Sequence, residues 1–337
     1  MNTADRFTNI LIIKPGAIGD LIQMTPVIRA LKAKYPTAGI TLVVGSAITA
    51  ELFKFDPLVN ETIIFDKKDV NRTVRSSLEL WRHLRRTKFD LLLQFQRSNV
   101  KAWLLASAAF PCRTLVYHKA RTRTVHAVSN YLETLAPLGI ETRDLDLKLS
   151  TGPDDKLFAT DLVTRLGALH KPIIALNPGA SHPIKQWSTE QFAILADLLT
   201  EKLSAQVVIV GGKIDVPLAE EIVAKSRTKP VILAGKTSLL QLGAVLEQCA
   251  VLVSGDTGPM HMGTAVGTRV VGLFGATDPM RTGPVGPGHT VVQAEDVPCV
   301  PCKNLICSHA VYLKCMRNIS PERVFQTVVD SMKIRGT

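Results

Sequence analysis

The chain has 337 residues, 46% hydrophobic and 20% charged, which is enough apolar content for two ordinary globular cores. Its formal charge of +11 is uneven: residues 1–150 hold 22 Lys and Arg against 13 Asp and Glu, a balance of +9 that leaves +2 for the remainder. No apolar run approaches the ~20 residues that span a bilayer, and the opening MNTADRFTNI lacks a charged-then-apolar secretory pattern, so a cytoplasmic chain is expected.

In chain order, short apolar runs alternate with amphipathic helices. Ile10 to Lys14 reads as a strand, 20–35 as a helix and 40–44 as the next strand, the βαβ grammar of a parallel sheet. Further strands are expected at 62–65, 91–94 and 114–117, with helices at 74–86, 101–109 and 127–138. Between 70 and 126 twelve basic residues, among them Arg72, Arg75, Arg82, Arg85, Arg86, Arg121 and Arg123, face only Glu79 and Asp90. That excess calls for an anionic partner, while each side chain taken singly is equally a solvated helix surface. A polar stretch at 150–155 and a helix to about 169 lead to a second series of strands at 173–177, 207–211, 231–234, 251–254 and 270–274. Two Rossmann-like doubly wound domains are therefore expected, residues 1–165 and 166–337.

Three segments carry chemistry. The loop Lys14-Pro15-Gly16-Ala17-Ile18-Gly19-Asp20 joins the first strand to the first helix, at the sheet edge where doubly wound folds bind ligands. It lacks the Gly-Lys-Ser/Thr of a phosphate-binding P-loop. It also lacks the third glycine and the downstream acid of a dinucleotide fingerprint, which argues against a Rossmann oxidoreductase. Asp20 is placed either to cap the helix or to act as a general base. The run Val253-Ser254-Gly255-Asp256-Thr257-Gly258-Pro259-Met260-His261 passes from an apolar strand to a small-residue helix, setting unpaired backbone amides against an anion such as a diphosphate. There Asp256 is expected to fasten the turn, and His261 either packs or reaches the site. Cys299, Cys302, Cys307 and Cys315 form a C-x2-C-x4-C-x7-C cluster, four thiols at a spacing able to close a zinc site. Aromatic residues are 5% of the chain and do not interleave with the basic segment, which argues against nucleic acid as the partner.

Gly19-Asp20, the segment Pro178-Gly179-Ala180-Ser181-His182-Pro183-Ile184-Lys185-Gln186-Trp187, the run Asp256-Thr257-Gly258-Pro259-Met260-His261 and Gly272-Leu273-Phe274-Gly275-Ala276-Thr277-Asp278-Pro279 together resemble glycosyltransferase family 9 in residues and in order. The resemblance implies a GT-B architecture, two α/β domains facing across a cleft, with the acceptor on the first and the nucleotide sugar on the second. It implies an inverting heptosyl transfer from ADP-heptose to a lipopolysaccharide core at the inner membrane, with no metal or cofactor. Another nucleotide sugar or surface polysaccharide is the alternative. Asp20 resembles the base. Ser181, Lys185 and the amides near Thr257 and Gly258 resemble the diphosphate contacts, with Asp256, Pro259, His261 and, near the ribose, Asp215 on the donor. Gly19, Lys14 and the arginines 72, 75, 121 and 123 are assigned to the acceptor, although Lys14 is equally a solvated side chain. Trp187 is read as packing, and the resemblance implies a structural loop, outside the catalytic machinery, for Cys299, Cys302, Cys307 and Cys315.

Overall fold

The computed structural model describes residues 7–65, 74–96 and 100–333, the side chains of 74–77 apart, and divides into two compact units at Leu145 and Asp146. The first unit runs β1 (Asn9–Ile13), α1 (Ile18–Ile22), α2 (Thr25–Lys34), β2 (Gly39–Val44), α3 (Ala47–Glu51), β3 (Glu61–Ile64), α4 (Val74–Arg86), β4 (Leu91–Gln94), α5 (Val100–Ala106), β5 (Arg113–Val116) and α6 (Ala127–Leu132). Its strands are parallel in the order β3-β2-β1-β4-β5. β1 and β4, with sequences NILII and LLLQ, are apolar almost throughout and buried almost throughout. Helices cover both faces of such a sheet, so its middle strands need no polar side.

One helix over 20–35 is expected, yet the chain makes two. Proline has no amide hydrogen to donate and fits only the first turn of a helix, so Pro26 starts a new one at Thr25. The Thr25 hydroxyl then donates to the Ile22 carbonyl, 2.8 Å away, which closes the end of α1. The helix expected over 127–138 likewise stops at Leu132 and continues as a 3-10 turn through Pro137.

The second unit runs α7 (Pro153–Arg165), β6 (Ile173–Asn177), α8 (Thr189–Leu203), β7 (Gln206–Ile209), α9 (Val216–Lys225), β8 (Val231–Ile232), α10 (Leu239–Gln248), β9 (Val251–Gly255), α11 (Gly258–Ala265), β10 (Arg269–Phe274), α12 (Pro279–Thr282), β11 (Thr290–Gln293), α13 (Lys314–Arg317) and α14 (Pro321–Lys333). Its parallel sheet has the order β11-β10-β9-β6-β7-β8. Trp187 is buried in the core, edge-on to Phe192 at 4.8 Å, and its indole donates to the Ile319 carbonyl at 3.0 Å. It packs, as its sequence context suggests. The division between units corrects the expected boundary at 165/166: α7 lies against α10 and belongs to the second unit. The segment leading into α7 also approaches α10 closely, since a Cβ on Gly243 of α10 would lie 3.0 Å from Leu149.

Both sheets reverse their order once. The chain leaves β1 for β2 and β3 on one side and takes up β4 and β5 on the other; β6 and β9 stand at the same kind of junction in the second sheet. Loops diverge at such a junction and leave a crevice beyond the carboxyl ends of the strands. The loops after β1 and β4, and after β6 and β9, are therefore where the fold leaves room for ligands.

Candidate active site

In the first unit the loop after β1 turns tightly, with the Gly16 amide bonded to the Lys14 carbonyl at 2.8 Å, and delivers Asp20 to the first turn of α1. Ala17 is the cap residue of α1 and offers it no side-chain bond, so Asp20 is not a cap. Its carboxylate is engaged elsewhere: Oδ1 accepts from the Tyr131 hydroxyl at 3.2 Å, and Oδ2 stands 3.9 Å from the Lys14 ammonium. Lys14 is itself buried, donates to the Tyr131 hydroxyl at 3.0 Å and lies 4.7 Å from the centre of that ring. The Asp20 side chain keeps 46% exposure and so remains accessible. Gly16 makes this possible, since a Cβ there would lie 3.1 Å from both Cβ and Oδ2 of Asp20.

Aromatic rings floor the group. Phe95 and Tyr117, beyond the ends of β4 and β5, lie 5.6 and 5.1 Å from the Tyr131 ring. Burial, together with the negative charges of Asp20 and Glu133, pushes the Tyr117 phenol up to about 12. Burial and the adjacent Asp20 carboxylate push Tyr131 higher still, so its proton stays in place at any ordinary pH.

In the second unit the loops after β6 and β9 meet. Lys185 closes a 3-10 turn at Pro183–Lys185, and its ammonium donates to Asp256 Oδ2 at 2.7 Å and to the Asp256 carbonyl at 3.4 Å. Asp256 is buried and the Lys185 side chain is 20% exposed. The expected capping role of Asp256 is thereby corrected: its carboxylate is drawn to the lysine, and Thr257 is the cap residue of α11. The Thr257 hydroxyl in turn accepts from Asn177 Nδ2 at 3.0 Å and lies 3.1 Å from the Ser254 hydroxyl, so it makes no cap bond. The first turn of α11 consequently presents amides without a cap side chain, beside a lysine with three donor hydrogens. The two loops pass close at the backbone, since a Cβ on Gly255 would lie 3.1 Å from the Lys185 carbonyl.

Asp215 joins this cluster. Its Oδ2 accepts from the Gly212 amide at 2.8 Å, and a Cβ on Gly179 would fall 2.4 Å from its Oδ1, so the carboxylate lies against the loop that carries Ser181. Ser181 is exposed, Gly258 and Pro259 open α11 partly exposed, and His261 is buried within that helix. The structure thus brings Ser181, Lys185, Asp215, Asp256, Thr257, Gly258 and Pro259 to one strand edge. In the first unit it brings Lys14 and Gly19 beside Asp20.

The arginines fare differently. Arg123 is exposed and ion-paired with Glu133, and Arg121 is exposed nearby. Arg72 and the side chain of Arg75 lie outside the described residues. The four clustered cysteines are free thiols lining, with His309, a cavity of about 270 Å³, and Cys315 is buried against Gly275. Among the described residues no group of three or more His, Cys, Asp or Glu side chains is placed to hold a metal ion. A hollow of about 700 Å³ lies by Arg269 and His289 at the opposite, amino-terminal edge of β10, away from these loops. Tyr131 and Asn177 were not legible as site residues in the sequence.

Residues 77–313 match the family model described as glycosyltransferase family 9 (heptosyltransferase). Among curated proteins the chain is similar to lipopolysaccharide heptosyltransferase 3 of Escherichia coli K12, 28% identical over 70% of this chain and 73% of that one. Among solved structures it is similar to the family 9 glycosyl transferase of Veillonella parvula, with a TM-score of 0.83, 24% identity and 98% of both chains covered. It is also similar to the E. coli ADP-heptose lps heptosyltransferase II, with a TM-score of 0.78 at 22% identity over 98% of this chain and 100% of that chain.

Proposed function

The chain belongs to glycosyltransferase family 9, and on that premise we propose that it is an inverting transferase moving heptose from ADP-heptose to the inner core of a lipopolysaccharide precursor. The observation that carries the donor assignment is the Lys185–Asp256 pair beside the first turn of α11, at the strand reversal of the second sheet. An acceptor hydroxyl attacks the anomeric carbon while Asp20 takes its proton, and the bond to the diphosphate breaks. Negative charge then grows on the leaving oxygen, where the Lys185 ammonium and the amides near Thr257 and Gly258 supply charge-assisted hydrogen bonds. Asp256 orients that ammonium and offers a carboxylate to donor hydroxyls, and Asp215 does the same for the ribose.

The acceptor is a lipid, and the chain is proposed to work at the cytoplasmic face of the inner membrane. No described helix is long and apolar enough to cross a membrane, and the contact proposed is with the membrane surface. What supports such contact is the outer side of α4 and α5. Arg82, Arg85, Arg86 and Lys101 are exposed there, with Val100 and Leu104 at 74% and 65% exposure.

The test is incubation of purified protein with a panel of nucleotide sugars and truncated core acceptors, reading released nucleotide and glycosylated product. ADP release coupled to heptose transfer is expected. Turnover with a different sugar nucleotide alone, or a complex with ADP bound away from Lys185 and Thr257, overturns the assignment.

A further inference from the structure

We propose that Tyr131 is the positioning residue of the general base: its phenolic hydrogen, aimed by the Lys14 ammonium, fixes Asp20 Oδ1 and leaves Oδ2 to take the acceptor's proton. This deepens the reading of Asp20 as base and rests on it.

The direction of the bonds follows from donor counting. An ammonium donates and never accepts, so in the 3.0 Å contact between Lys14 Nζ and the Tyr131 oxygen the lysine is the donor. A phenol has a single hydrogen. With its oxygen already accepting from Lys14, that hydrogen is directed along the 3.2 Å contact to Asp20 Oδ1. The chain Lys14 to Tyr131 to Asp20 therefore has one polarity and cannot run backwards.

Three further observations make this a device rather than an ordinary buried tyrosine finding a partner. The ring is 4% exposed and held between Phe95 and Tyr117, so the hydroxyl has little freedom to swing. The phenol keeps its proton, because burial and the facing carboxylate push it far above the usual tyrosine range. The opposite carboxylate oxygen borders Gly16, which has no side chain to crowd it, and faces the Lys14 ammonium at 3.9 Å, beyond hydrogen-bond distance, while the Asp20 side chain is 46% exposed. One oxygen is pinned by a hydrogen bond and the other is held only by the charge of Lys14, which is the arrangement a base needs to meet a hydroxyl in a single orientation.

Tyr131→Phe tests this, since it removes one oxygen and keeps the ring in its packing. Among the described residues, the charged and titratable groups that the contacts place around the hydroxyl are Asp20, Lys14 and Tyr117, with Glu133 and its partner Arg123 beyond Tyr117. The variant is expected to lose about tenfold or more in kcat, within the 10² to 10⁴ that general base catalysis contributes. Donor KM and ADP affinity stay unchanged. A purely structural tyrosine would lower Tm and leave kcat at its wild-type value. Wild-type kcat overturns the positioning role, and loss of ADP affinity overturns it as well. Asp20→Asn separates the two levels: an inactive Asp20→Asn beside a fully active Tyr131→Phe keeps the base and removes the tyrosine, whereas an active Asp20→Asn removes the base itself.

Discussion

Lys185 and Asp256 show how much a single pair is asked to do. The carboxylate is buried and the ammonium is its counter-charge, so the pair neutralises itself until a diphosphate arrives. Lysine has hydrogens to spare and keeps its bond to Asp256 while donating to phosphate oxygens. Lys185→Ala is expected to weaken ADP binding by about 10- to 100-fold, as losing a charged hydrogen bond of roughly 1.5–3 kcal/mol implies. Calorimetry with ADP reads this directly, and wild-type affinity counts against the assignment. The same change leaves a buried carboxylate unpaired and lowers Tm. Adding Asp256→Asn to Lys185→Ala is expected to recover Tm without recovering ADP affinity, which separates folding from binding.

At the scale of the elements, α11 is the critical part, because its first turn is a binding surface and its body is wedged against the sheet. Gly263 is the reason it fits: a Cβ there would lie 2.8 Å from Leu252 and 3.3 Å from Val270, both buried in the strands beneath. Gly263→Ala is expected to cost about 1–3 kcal/mol of stability, as overpacking does. Denaturant titration checks it, and ADP affinity should fall in parallel as the first turn is displaced. Much of this element was legible in the sequence, since an apolar strand followed by small residues and a proline marks both the strand end and the helix start. The partner of Asp256 was less so. Lys185 lies 71 positions away, and nothing local to either residue announces the pairing. Tyr131 is harder still, separated from Asp20 by 111 positions and looking in the sequence like any aromatic on a helix. The sheet order alone brings these residues together. The boundary between units was misread for a related reason: α7 carries little apolar pattern, its one fully buried residue being Ala159, so only its packing on α10 assigns it.

The whole molecule has an alkaline weakness built from groups in both units. The Cys249 thiol, buried and donating to the Val245 carbonyl at 3.2 Å, is raised by burial from 9.0 to about 12. The Tyr117 phenol is raised from 10.0 to about 12, mainly by burial. In the unfolded chain these groups lose their protons first, so the stability tied to keeping them neutral is complete below about 9 and drains away as pH climbs to about 12. Thermal melts across that interval should show Tm falling, and Cys249→Ala should shallow the slope; a flat profile would refute the linkage. The missing amide hydrogen of Pro26 has the widest reach of all. Were that residue able to bond back to Ile22, the chain would wind into one continuous rod from Ile18 onward, and the carboxylate at its start would turn with it. A protein could then be well folded, fully able to hold its nucleotide, and chemically silent.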